Sequence, residues 1–175
     1  MADQRHQAIH HRGREHRAVI LVDGNSLFRA ASIMQIEIDY EKLLRILVSD
    51  RKLMQALFYT GANPGNQKQM AFLRWMRNHG YRVVQKELTQ APDGSRSADL
   101  SVEIAIDLLR MAELTETIVL VSQDDQLTYA AETIIRHGVV LELVGLRSLS
   151  SERLVNLADR FIDLATIQSL IQRES

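Results

Sequence analysis

Ala18-Val19-Ile20-Leu21-Val22-Asp23-Gly24-Asn25 runs five apolar residues straight into an acid, a glycine and an amide. An apolar run this short, closed by turn residues, reads as a strand. The pattern returns a hundred residues later. Thr117-Ile118-Val119-Leu120-Val121 runs into Ser122-Gln123-Asp124-Asp125. Both runs place carboxylates just past the C-terminal tip of a strand, the edge where open α/β sheets form their ligand and metal sites.

Working outward, three more strands are expected at 55–60, 81–86 and 139–144. Helix-period stretches fall near 26–33, 40–48, 66–79, 98–113, 126–137, 150–158 and 164–173. Gly80 and Gly138 each close a helix and precede a strand, as left-handed helix caps do. Strands alternating with helices imply βαβ units and a mostly parallel sheet. The loop Thr89–Ser97 holds Pro92-Asp93-Gly94 turn chemistry and delivers Arg96 and Asp99 to the next helix.

The 175 residues suit one domain and can bury roughly 70% of the surface of the unfolded chain. Residues 1–17 read as a flexible polar arm holding His6, His10, His11 and His16, and 18–175 as the folded domain. There is no cysteine, which excludes a disulfide framework, a thiolate nucleophile and cysteine-bound metal. No apolar stretch approaches a membrane span, and the first residues lack the apolar core of a secretory signal. A cytoplasmic location is the expectation. With 21 basic and 22 acidic residues the chain has no basic excess, so contact with nucleic acid must come from a local patch or a bound cation.

The acids carry the chemistry. Asp23 is expected to point from its strand into the crevice, with Asn25 holding a neighbouring carboxylate; the alternative is that both are turn and capping residues. Asp99 heads a long helix, where a carboxylate is favoured by free backbone N–H groups. Glu103 and Asp107 follow at i+4 and i+8 on one stripe, and Asp107 reads as a solvated edge. Asp124 and Asp125 are more acids than one helix cap requires. Two carboxylates about 4 Å apart repel by roughly 4 kcal/mol at an effective dielectric of 20. Converging acids therefore take up protons or bind a cation, and all-oxygen donors suit Mg²⁺ or Mn²⁺. Hydrolysis of a phosphodiester is the reaction this suits best. Lys68, Arg74 and Arg77 lie at helical spacing and are candidates for an RNA backbone, against a plain solvated face. Phe72 and Trp75 read as core.

Taken together, these motifs resemble the NYN domain family, the LabA-like branch of PIN-like metal-dependent ribonucleases. The likeness runs from Ala18 to about Thr166. Asp23-Gly24-Asn25 is similar to the family's opening motif. Arg96-Ser97-Ala98-Asp99 sits where the family has a Lys-Gly-Val-Asp-like element. Val121-Ser122-Gln123-Asp124-Asp125-Gln126-Leu127 is similar to a strand followed by Ser-x-Asp-x-Asp-Phe. Ser150, Ser151, Leu154 and Ala158-Asp159-Arg160-Phe161 are similar to its close. Gln126 replaces the second acid of the Asp-x-Asp pair, Arg96 the usual lysine and Ser97 the glycine.

The resemblance implies a three-layer α/β/α sandwich around a central, mostly parallel sheet of five or six strands. It implies Mg²⁺ or Mn²⁺ on Asp23, Asp99 and Asp124, with Asp125 as auxiliary ligand, and cleavage of RNA. Asn25, Ser122 and Glu103 would orient the ligands, and Arg96, Lys68 and Arg74 would contact RNA. No residue reads as a general base, which leaves water activation to the ion. With Gln126 in place of an acid, the alternative is a weak or inactive LabA-like regulator that binds RNA or a protein partner through the same crevice. A haloacid-dehalogenase-type phosphatase is disfavoured by Asn25 at its second acid position, and a kinase by the lack of a glycine-rich phosphate loop. The apolar C-terminal stretch Ile167, Leu170 and Ile171 is expected either to pack internally or to form a homodimer.

Overall fold

The computed structural model describes residues 16–174. Strands β1 (Arg17–Asp23), β2 (Lys52–Ala62), β3 (Arg82–Glu87), β6 (Thr117–Val121), β7 (Val140–Gly145) and β8 (Arg160–Asp163) form one sheet in the order β3-β2-β1-β6-β7-β8. Every pairing in it is parallel. A small antiparallel hairpin, β4 (Thr89–Gln90) with β5 (Arg96–Ser97), stands apart from it.

Period-two alternation sorts the strands' side chains into two cores. Ile20, Val22, Phe58, Val119, Val121 and Val144 pack beneath α1 (Gly24–Met34), α2 (Tyr40–Val48) and α3 (Gln67–Asn78). Val19, Leu21, Leu57, Tyr59, Ile118, Leu120, Leu141 and Leu143 pack beneath α4 (Ser101–Ala112), α5 (Thr128–Arg136) and α6 (Glu152–Leu157). The result is the expected three-layer sandwich with six strands. Gly80 and Gly138 take φ of +94° and +85°, the left-handed conformation that ends a helix ahead of β3 and β7.

Several boundaries differ from the sequence reading. β2 extends over 11 residues because its first four alternate between exposed and half-buried, which an apolar-run criterion misses. β8 is absent from the strands read in the sequence. Its four residues are too few to display a period, and none is fully buried. The C-terminal helix is a 3₁₀ turn, Leu164–Ile167, followed by one turn of α7 (Gln168–Ile171). That segment packs within its own chain: Leu164 and Ile171 are buried, and Asp39 N–H donates to Ile171 O at 2.8 Å. Arg17, read in the sequence as the end of the arm, opens β1, and Lys52 N–H donates to His16 O at 2.9 Å. His6, His10 and His11 lie outside the described residues. Among those described, no helix is long and apolar enough to cross a membrane.

From β1 the chain builds outward to β2 and β3, then returns to the centre and builds the other way through β6, β7 and β8. The direction therefore reverses between β1 and β6, which makes their C-terminal ends the topological switch point of the sheet.

Candidate functional site

A cleft of about 330 Å³ opens at that point, and Asp23, Asp99, Asp124 and Asp125 all line it. Asp23 ends β1 and also caps α1, taking the Ser26 N–H on Oδ1 at 3.4 Å. Its Oδ2 accepts both the Ser26 and Ser122 hydroxyls at 2.8 Å, and the residue is 8% exposed. Each hydroxyl in turn accepts a backbone N–H at 3.1 Å: Ser26 that of Gln123, and Ser122 that of Asp124. With both protons directed at Asp23, the 3.3 Å approach of the two hydroxyl oxygens is a contact rather than a hydrogen bond. Asp23 is thus held in place by its own helix and by the end of β6.

Gly24 makes this turn possible. A Cβ there would lie 2.5 Å from Tyr59 O, so the close approach that requires glycine is to β2 rather than to a ligand. Among the described residues, Asn25 holds no carboxylate. Its Nδ2 donates to Ala98 O at 3.0 Å, tying the head of α1 to the segment that carries Asp99. Asp99 is exposed, and its Oδ1 accepts the Ser101 N–H at 2.9 Å together with the Ser101 hydroxyl. These bonds, with Lys86 nearby, hold its carboxyl below the usual range. Asp124 Oδ1 caps the following 3₁₀ turn through Gln126 N–H at 3.0 Å. Asp125 faces α6: its Oδ1 accepts the Ser151 hydroxyl at 2.6 Å and the Thr128 hydroxyl at 3.1 Å. Those hydroxyls lower its pKa.

Among the described residues, no three acidic or histidine side chains converge closely enough to hold one metal ion. The acids reach one cleft but not one point, and the lowered pKa values of Asp99 and Asp125 reflect local donors rather than crowding. In donor type the cleft suits a hard divalent cation. Mg²⁺ keeps several waters and takes substrate phosphates beside one or two carboxylates, so it does not need a full protein cage. Asp99 Oδ2 and Asp124 Oδ2 carry no hydrogen bond within the described residues.

The remaining acids lie elsewhere. Glu103 does not line the cleft; it pairs with Lys86 at 2.9 Å, which lowers its pKa. Asp107 is not on a solvated edge. Its Oδ2 accepts the Tyr59 hydroxyl at 2.9 Å, and burial together with that carboxylate raises the Tyr59 pKa. Arg96, Lys68 and Arg74 do not line the cleft; Arg96 sits in the exposed β4–β5 hairpin, and the other two on α3.

Four residues near the site escaped the sequence reading: Ser26, Arg29, Lys86 and Gln123. Gln123 braces the switch point, donating from Nε2 to Ser26 O and accepting Leu146 N–H on Oε1, each at 3.1 Å. Lys86 Nζ donates to Asp99 O at 2.9 Å. Arg29 lines the cleft itself. Of these only Ser26 carried a legible signal, lying three residues after Asp23 at the helix start.

This architecture has known counterparts. The crystal structure of a protein of unknown function from Vibrio parahaemolyticus matches it with a TM-score of 0.77 and 26% identity, covering 86% of this chain and 93% of that one. Low amplitude and bright protein LabA of Synechococcus elongatus is 30% identical over 168 residues, 91% of this chain and 90% of that protein. The NYN domain model matches residues 17–166, a span that runs from the first residue of β1 past the end of β8 and takes in every residue of the cleft. The chain belongs to the NYN domain family.

Proposed function

We propose that the switch-point cleft binds RNA and hydrolyses its phosphodiester bonds with a divalent cation, Mg²⁺ or Mn²⁺. Family membership supports a nuclease- or RNA-related role. The observation that carries the finer reading is the placement of Asp23 and Asp124 at the adjacent tips of β1 and β6, with Asp99 on the same cleft. Asp23, Asp99 and Asp124 would hold a hydrated cation, one or two of them directly and the rest through its waters. When bound, such an ion lowers the pKa of a ligated water and offsets charge building on the phosphate. Ser26 and Ser122 fix the orientation of Asp23. Lys86 anchors the backbone of Asp99, and Asn25 anchors the residue before it. Asp125, tied to Ser151 and Thr128, serves the docking of α6 as much as the cleft.

The test is incubation of a mixed RNA pool with Mn²⁺, comparing the wild type with Asp23→Asn. Loss of cleavage in the variant is expected; equal degradation by both would remove the nuclease reading. A second reading, a regulator that binds RNA or a protein without cutting, is favoured by the lack of any three converging acids among the described residues. Thermal melting separates the two readings. A rise in Tm with millimolar Mg²⁺ or Mn²⁺ supports the nuclease, and no shift supports the regulator.

A further inference from the structure

A groove of about 930 Å³ opens on the other side of α1, walled by Phe28, Tyr40, Phe72 and Trp75. It is larger than the acidic cleft, and α1 borders both. Arg29 lines the cleft; Phe28, one residue earlier, lines the groove. The two sites are close in space. The Phe58 ring comes within 3.0 Å of where a Gly24 Cβ would sit, and Phe28 packs edge-on against Phe58 with centroids 6.0 Å apart.

Their chemistries are complementary. The Arg29 side chain is exposed and makes no hydrogen bond or ion pair among the described residues, although four aspartates line the same cleft. Phe28 is 42% exposed. The groove's rim is acidic: Glu37 faces Arg173 at 3.9 Å, Asp39 caps α2, and Glu41 is exposed. Such a rim repels a phosphate but admits an uncharged ring onto apolar walls. An anion beside Arg29 and a flat neutral ring beside Phe28 are the two parts of one nucleotide in an unpaired strand.

We infer that single-stranded RNA crosses α1, seating a phosphate on Arg29 and an unpaired base in the aromatic groove against Phe28. This rests on the RNA-binding reading above and narrows its substrate class. A duplex keeps its bases stacked and paired and cannot deliver one into the groove. Stacking on an aromatic ring tolerates any base, so the groove selects for strandedness and not for sequence.

The test is fluorescence anisotropy on the full chain with a labelled eight-nucleotide RNA, in EDTA and again in Ca²⁺. Phe28→Leu keeps an apolar side chain over Phe58 and is expected to melt like the wild type while binding the single strand about tenfold more weakly. Arg29→Gln is expected to weaken binding and to flatten the plot of log affinity against log salt by about 0.7. An abasic residue at one position of the RNA should reproduce the Phe28→Leu loss in the wild type and add nothing in the variant; this reads the contact without touching the fold. A duplex binding as tightly as the single strand, or single-strand affinity unchanged in Phe28→Leu, overturns the inference and leaves the groove to an apolar partner. A wild type that binds no RNA removes the proposed function as well, whereas RNA binding that both variants leave intact removes this inference alone.

Discussion

Gly24 and Ser122 show how little freedom the site allows a single residue. A methyl group at 24 would collide with the Tyr59 carbonyl, which belongs to a central strand and cannot retreat. Gly24→Ala is expected to destabilise the protein by about 1–3 kcal/mol, measured by urea unfolding, through overpacking rather than through any lost contact. Ser122 is fully buried, donating to Asp23 and accepting from Asp124 N–H. Ser122→Ala leaves that N–H without its acceptor and is expected to lose about 1–3 kcal/mol in the same measurement. At this scale the sequence was informative about residue type and poor about partner. The acid–glycine–amide triplet announced a special turn, but nothing in it said that the glycine serves β2 or that Asn25 grips Ala98 O. Those partners lie far along the chain, and only the sheet order brings them together. Arg29 and Lys86 were illegible for a related reason: a lone cation in a helix or strand pattern has no period to mark it.

Among the elements, the strongest strands were the easiest to read. β1, β6 and β7 are central and apolar enough that burial dictates their residues on both faces. β8 and the one-turn α7 were obscured because edge strands and short helices bury little, so their patterns are weak. Glu142 is the exception within β7. It takes a two-pronged ion pair from Arg51 at 2.9 and 3.0 Å, with both side chains mostly buried. Arg51 also donates to Leu47 O and Val48 O, so the pair fastens the end of α2 across the sheet to β7. Glu142→Ala would strand a buried guanidinium and is expected to cost about 3 kcal/mol in chemical denaturation. Replacing both partners together, Arg51→Met with Glu142→Leu, is expected to restore most of that loss, because the removal of one partner and not the pair carries the penalty.

Across the whole molecule, acid response follows from carboxyls whose pKa is lowered by folding. Arg17, hydrogen-bonded to Glu116, brings that carboxyl from its ordinary 4.5 to about 2. The unfolded chain therefore takes up the proton first as pH falls. The pair's contribution is complete above about pH 4.5 and is lost as pH drops toward 2. Asp99, Glu103 and Asp125 shift in the same direction. Denaturation midpoints are expected to fall steadily below pH 4.5, and Glu116→Gln to flatten that slope. The change should be under about 1 kcal/mol, since both partners are more than two-fifths exposed.

The reversal of strand order has one more consequence. The only covalent link between the first three strands of the sheet and the last three passes through the exposed hairpin around Gly94, whose two short strands pair with each other alone. The two halves are otherwise laced by contacts that include β1 on β6, α7 on α2, the Arg51–Glu142 pair, the Ser122–Asp23 bond and the Gln123 brace. A protease nick at that tip should yield two fragments that stay together as one particle on a sizing column and part only under denaturant. The chain would then behave as a two-piece assembly, with its acidic cleft on the seam.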